Sequence, residues 1–157
     1  MAARQAAEIY DAAEIHVLES KDLGAGYVAI ASMDLSEESV DVIIEQAKEA
    51  MMGAATGMIS PAIRTADLDG VHIEDGDFIG FVGKHMLVSE KECLAAARTL
   101  SDKMLDGKYL LTAFTGKTAN EADTEALQAY LAEVHADVEC YFIEGGQDVY
   151  PYIFIAE

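Results

Sequence analysis

The stretch that most constrains the fold is residues 65–81, TADLDGVHIEDGDFIGF. It sets five carboxylates, Asp67, Asp69, Glu74, Asp75 and Asp77, between short apolar runs, and no Lys or Arg falls within it. Gly70, Gly76 and Gly80 punctuate it. Such spacing denies a helix its apolar stripe and predicts tight β-turns with acids at their tips. Asp69-Gly70 is a hairpin signal, and Glu74-Asp75-Gly76-Asp77 reads as a second turn.

The rest of the chain is read outward from these turns. Residues 57–65 read as a strand ending near Arg64, and Pro61 predicts an edge position or an irregularity in it. Short strands follow at 71–73, 78–82 and 85–88. Ser89 and Glu92 form a capping box that opens a helix to about residue 105, with Cys93, Leu94, Ala97, Leu100 and Met104 inward. Residues 109–115 (YLLTAFT) predict a central strand. Asn120 caps a helix to about 135, a strand covers 138–143, and 145–148 turn into a last strand, 149–156, interrupted by Pro151. Residues 53–157 thus read as a complete α/β subdomain with acidic turns.

Residues 1–52 read differently. Helices are expected at 2–13 and 26–33. A third, at 37–52, is capped by Ser36, with Glu37 and Glu38 in its first turn and Val40, Ile43, Ile44, Ala47 and Met51 as its core stripe. The run Ile15-His16-Val17-Leu18 predicts a buried strand with His16 as a structural residue. One strand cannot make a sheet, so 1–52 is expected to be a truncated, mostly helical α/β subdomain. The open edge beside 15–18 offers a route to a homodimer. The segment GAATG at 53–57 marks the boundary.

Of 157 residues, 52% are hydrophobic, enough for a core, while the formal net charge is −19. That charge repels a nucleic acid backbone or an anionic membrane surface and attracts a basic protein or a cation. Lys117 is the last Lys or Arg, and nine acids follow it. No apolar run reaches ~18 residues, so no membrane span is expected. The first residues lack the apolar core of a secretory signal. Cys93 and Cys140 follow no metal-binding spacing and read as buried reduced thiols, in keeping with a cytoplasmic protein.

No catalytic set completes itself. Asp67-x-Asp69-Gly70 places glycine at the fourth position, where a calcium loop needs it at the sixth, so no metal is expected. Three like charges on exposed turns give Glu74, Asp75 and Asp77 no desolvation to raise a carboxyl toward acid–base work. Gly145-Gly146-Gln147 matches the tripeptide of peptide release factors, but an acidic terminal stretch cannot dock on RNA, and the turn reading holds. The residues from Gly80 to His85 lack phosphate-loop spacing, and His72, His85 and His135 are scattered.

Three segments carry a resemblance: AIRTADLDG at 62–70, IEDGDFIG at 73–80 and GGQDVYPYI at 145–153. Together, in this order and spacing, they resemble the C-terminal region of DAK2-domain (dihydroxyacetone-kinase-like, "DAK phosphatase") proteins, the kinase subunits of bacterial fatty acid kinase. In that likeness Arg64, Gly70, Gly76, Gly80, Gly146, Gln147, Tyr150 and Pro151 are motif residues, and Asp148 stands where the family usually has proline. The segments at 1–7 and 15–18 extend the likeness over nearly the whole chain. The resemblance implies a DegV-like C-terminal subdomain that docks a DegV-like fatty-acid-binding protein through acids, here Asp67, Asp69, Glu74, Asp75, Asp77, Glu144 and Asp148. ATP, magnesium and the catalytic residues belong to family regions outside this sequence. The chain is therefore expected to be a non-catalytic docking fragment, free of cofactor, of an ATP-dependent kinase. The other reading is an acyl- or small-molecule-binding domain in its own right.

Overall fold

The computed structural model describes residues 2–37 and 39–157. Glu38 and Met1, read above as part of a first helical turn and of the N-terminal likeness, lie outside the described residues. The chain divides into two compact units, Met1–Met52 and Gly53–Glu157.

The regular structure of the first unit is helical: α1 Ala2–Ile9, α2 Leu23–Ala31 and α3 Val40–Gly53. Asp22 caps α2 by accepting the Ala25 N–H at 2.9 Å. Ser36 does not cap α3. Its N–H and hydroxyl both donate to Asp34 Oδ1, at 2.9 and 2.6 Å, and α3 begins at Val40. Ala47 is fully buried on α3, while Val40, expected in the same stripe, is 48% exposed. Residues 15–18 form no strand, because among the described residues no neighbour completes their hydrogen bonds. His16 is exposed there, its Nε2 3.1 Å from Glu14 Oε1, so neither the buried strand nor its structural histidine is present.

The second unit runs β1 Ala55–Pro61, β2 Ala66–Leu68, β3 Val71–Ile73, β4 Phe78–Val82, β5 His85–Glu90, α4 Cys93–Met104, β6 Leu110–Thr115, α5 Glu121–Val134, β7 Glu139–Glu144 and β8 Tyr152–Ala156. Six strands form one mixed sheet in the order β5-β4-β1-β8-β6-β7, and β2 and β3 form a separate two-stranded ribbon. Only β6 and β7 are parallel, joined through α5, as a parallel pair requires. Every residue of β8 is buried, as suits a continuous apolar run (YIFIA) in mid-sheet.

Helix α4 covers β1 and β4 closely because the sheet is bare beneath it. A Cβ on Gly57 would lie 2.2 Å from Met104 Sδ, and one on Gly80 would lie 3.3 Å from Leu100 Cβ. Ile59, Leu100, Leu111, Leu127, Leu131, Tyr152 and Phe154 form the fully buried centre. The two helices are tied to each other by Asp102, which accepts from Tyr130 Oη and meets His135 Nε2, both at 2.8 Å.

Three expectations are corrected in this unit. Pro61 is not on an edge: β1 lies between β4 and β8, and Pro61 ends it beyond the last β8 pair, Ile59 with Tyr152. Ser89 is not an N-cap. It pairs with Ile79 in the sheet, and Glu92 occupies the cap position of α4 without a side-chain hydrogen bond. Cys93 and Cys140 are free thiols but only half-buried, with burial first and then Asp123 pushing the Cys93 thiol up to about 11.

Candidate functional site

The acid-rich ribbon is built by its turn. Asp69 and Gly70 both take positive φ, 51° and 80°, which matches the twist of a two-residue hairpin and favours Asp-Gly there. Across the ribbon Asp67 pairs with His72, with Oδ1 2.8 Å from Nδ1. That hydrogen bond, then the Asp67 charge, raises the His72 pKa. Asp69 Oδ2 accepts the Met86 N–H at 2.8 Å, which ties the ribbon to β5, and lies 3.9 Å from His85 Nδ1.

The second turn is held from within. Gly76 turns at φ 87°, and its N–H donates to Ala62 O, while Ala62 N–H donates to Asp77 O at 2.7 Å. Asp77 is only 6% exposed. Its Oδ2 accepts the Glu74 N–H at 3.1 Å and the Ser89 hydroxyl at 2.9 Å, and Lys91 Nζ lies 2.9 Å from its Oδ1. Lys91 also donates to Glu74 Oε2. Lys91 first, then the Glu74 N–H, holds the Asp77 carboxyl below the usual carboxylate range. Asp77, expected on an exposed turn tip, is therefore an internal anchor, and the acids expected to stand without a cation gain one from just beyond β5, the far strand of the β4–β5 hairpin. Asp75 alone of the five keeps an exposed carboxylate with no partner among the described residues. Arg64 is exposed in the loop before β2.

A second acidic site lies at the opposite edge of the sheet. Thr115, Gly116, Lys117 and Ala119 at the end of β6, Glu121, Thr124, Glu125 and Gln128 on α5, and Phe142, Ile143, Glu144 and Gly146 from β7 onward line an open groove of about 630 Å³. The carboxyl ends of parallel strands are where an α/β sheet exposes such a cleft. Asn120 caps α5, its Oδ1 accepting the Asp123 N–H at 3.3 Å, and so directs Glu121 and Glu125 along one wall. Glu121, Glu125 and Glu144 are exposed and carry no ion pair among the described residues. The groove's lysine, Lys117, is paired with Asp148 at 2.7 Å.

The loop at 145–151 closes the end of this groove and explains the Gly-Gly-Gln motif without chemistry. Gln147 Nε2 donates to Phe114 O at 3.0 Å, and Gly145 and Gly146 N–H both donate to Thr115 O. A Cβ on Gly145 would lie 2.3 Å from Gln147 Oε1, so glycine lets the glutamine fold back. Gly116 N–H donates to Pro151 O at 2.8 Å, Pro151 is fully buried, and Tyr150 meets Phe81 edge-on at 6.4 Å. Gly146, Gln147, Tyr150 and Pro151 thus brace strand ends. The structure gathers Glu144 and Asp148 at this groove and Asp67, Asp69, Glu74 and Asp75 on the ribbon; it does not join the two sets. No group of three His, Cys, Asp or Glu residues suited to a metal ion occurs among the described residues.

The family of FakA-like C-terminal domains, those of fatty acid kinase, matches this chain over residues 1–157. The chain belongs to that family. Curated relatives of this FakA-like domain include uncharacterized proteins of Staphylococcus aureus strains MRSA252 and USA300, each 32% identical over 162 residues. The match takes in all of the chain but 28% of each relative. Sequence reasoning had the acids of the tail but not the groove they line; the i, i+4 spacing of Glu121 and Glu125 on a helix following a central strand was the available signal. Among the described residues, no helix of the domain is long and apolar enough to cross a membrane.

Proposed function

We propose that this domain docks a partner protein for its fatty acid kinase, and that the partner is a DegV-like protein carrying the fatty acid. The carboxylates of the partner-facing surface attract and orient that protein, so that its acyl carboxylate meets the kinase domain of the full-length enzyme. The domain itself supplies no catalytic group, and ATP and magnesium are held by the kinase domain. The observation that carries this reading is the set of exposed, unpaired carboxylates at the groove, Glu121, Glu125 and Glu144, with its lysine neutralised by Asp148. Such a surface repels a free fatty acid or a phosphate ester and favours a basic protein face, raising the encounter rate more than the affinity. The paired acids of the ribbon add less, because each exposed pair contributes only about 0.2–1 kcal/mol.

Calorimetric titration of the domain with the lipid-loaded partner at low and high salt tests the reading. Affinity is expected to weaken several-fold as salt rises, and again in a Glu121→Lys/Glu125→Lys variant. Salt-independent binding, or binding indifferent to those charge reversals, overturns electrostatic docking. Co-purified lipid held by the domain alone would instead support the ligand-binding alternative.

A further inference from the structure

The groove wall formed by β7 is an open sheet edge. In a parallel ladder alternate residues exchange hydrogen bonds with the neighbour, and the others point both backbone groups the opposite way. Glu139 N–H donates to Tyr109 O and Gly145 N–H to Thr115 O, so the odd-numbered residues face β6. The N–H and C=O groups of Cys140, Phe142 and Glu144 therefore point outward. No strand pairs on that side, and no loop hydrogen bond reaches those three residues among the described ones. The strand has six residues, no proline and no lysine, and its solvent side leaves Tyr141 55% and Ile143 38% exposed. Sheet edges left this bare are templates for another strand. The opposite edge, β5, is tied to the ribbon through the bond from Met86 to Asp69.

We propose that β7 accepts an extended segment of a partner protein as a seventh strand of the sheet. The segment lies in the groove between β7 and α5, apolar in its middle and bearing Lys or Arg at its ends. Charge selects that chemistry. Glu139 and Glu144 stand at the two ends of β7, and Glu121 and Glu125 face the groove from α5. A second copy of the chain is a poor occupant, because β7 carries Glu139 and Glu144 and no Lys or Arg, so an antiparallel copy brings acids together near each end with no cation to offset them. Main-chain bonds supply the affinity in such strand addition, and the flanking charges set the register. The inference rests on the docking reading above and assigns it a place and a geometry.

Residue-resolved amide exchange on the whole chain, with and without the lipid-loaded DegV-like partner, tests it. The amides of Cys140, Phe142 and Glu144 are expected to slow by about tenfold or more in the complex, those of Tyr141 and Ile143 much less. Glu144→Pro removes an outward N–H that β6 does not use, so the strand tolerates it, and binding should fall about tenfold. Glu144→Gln keeps the N–H and should cost only about two- to threefold. Binding with protection confined to other surfaces, or equal binding by the two variants, overturns strand addition and leaves the docking reading standing. Absence of any complex overturns both, and slowed β7 exchange through self-association alone overturns the choice of occupant. If circular dichroism shows Glu144→Pro unfolded, the exchange arm on the unaltered chain decides.

Discussion

Asp77 shows how far a single residue departs from its setting in the sequence. It stands among like charges, yet the returning strand brings Ser89 and Lys91 to it, and its carboxylate accepts the Glu74 N–H. Asp77→Ala is therefore expected to lower the urea midpoint clearly, and Asp75→Ala, which removes an unpartnered carboxylate, to leave it unchanged. The Asp77 pKa is lowered in the folded state, so its contribution is present above the ordinary carboxylate value of 3.8 and is lost as pH falls through the lowered one. The acid limb of the stability curve should be shallower in Asp77→Asn. His72 works in the opposite sense. Its pKa is raised above 6.5 by Asp67, so the pair contributes below that pH and fades as pH rises through the raised value. An NMR titration of His72 is expected to show its midpoint moving down in Asp67→Asn; an unmoved midpoint would refute the pairing.

At the scale of elements, the Gln147 side chain is one of the ties that hold the loop after β7. Gln147→Ala removes the bond to Phe114 O and is expected to cost about 1 kcal/mol. Gly145→Ala pushes the same glutamine aside and should cost a similar amount. Because both remove one interaction, the double variant is expected to be little worse than either single, which a double-mutant cycle by urea denaturation measures. Helix α4 gives a larger effect: Leu100→Ala empties the space above Gly57 and Gly80 and is expected to cost about 2–5 kcal/mol. The Asp69-Gly70 turn was legible beforehand because its two positive-φ residues act within four residues. The start of α4 was not. Ser89-x-x-Glu92 satisfies a local cap pattern, but sheet register with Ile79 claims Ser89 first.

For the whole molecule, the fully buried centre lies between Ile59 and Tyr152, inside the unit Gly53–Glu157. Residues 53–157 expressed alone are expected to unfold in one cooperative transition, with far-ultraviolet and near-ultraviolet signals coinciding. Two transitions, or no near-ultraviolet signal, would show that the unit depends on the rest of the chain. The net charge of −19 acts at this scale too, through long-range steering of basic partners that salt screens.

By itself, the sequence determined the α/β class, the order of strands and helices after residue 53 apart from β2, which it ran together with the strand before it, and the sign of the surface. Periodicity, turn chemistry and charge are properties of neighbouring residues and survive without a fold. Tertiary structure alone decided which acids are free. It buried Asp77 against Lys91, paired Asp148 with Lys117, and left Glu121, Glu125 and Glu144 open at the end of β6 and β7. It also denied residues 15–18 a strand, since a strand exists only where a second one arrives to share its hydrogen bonds.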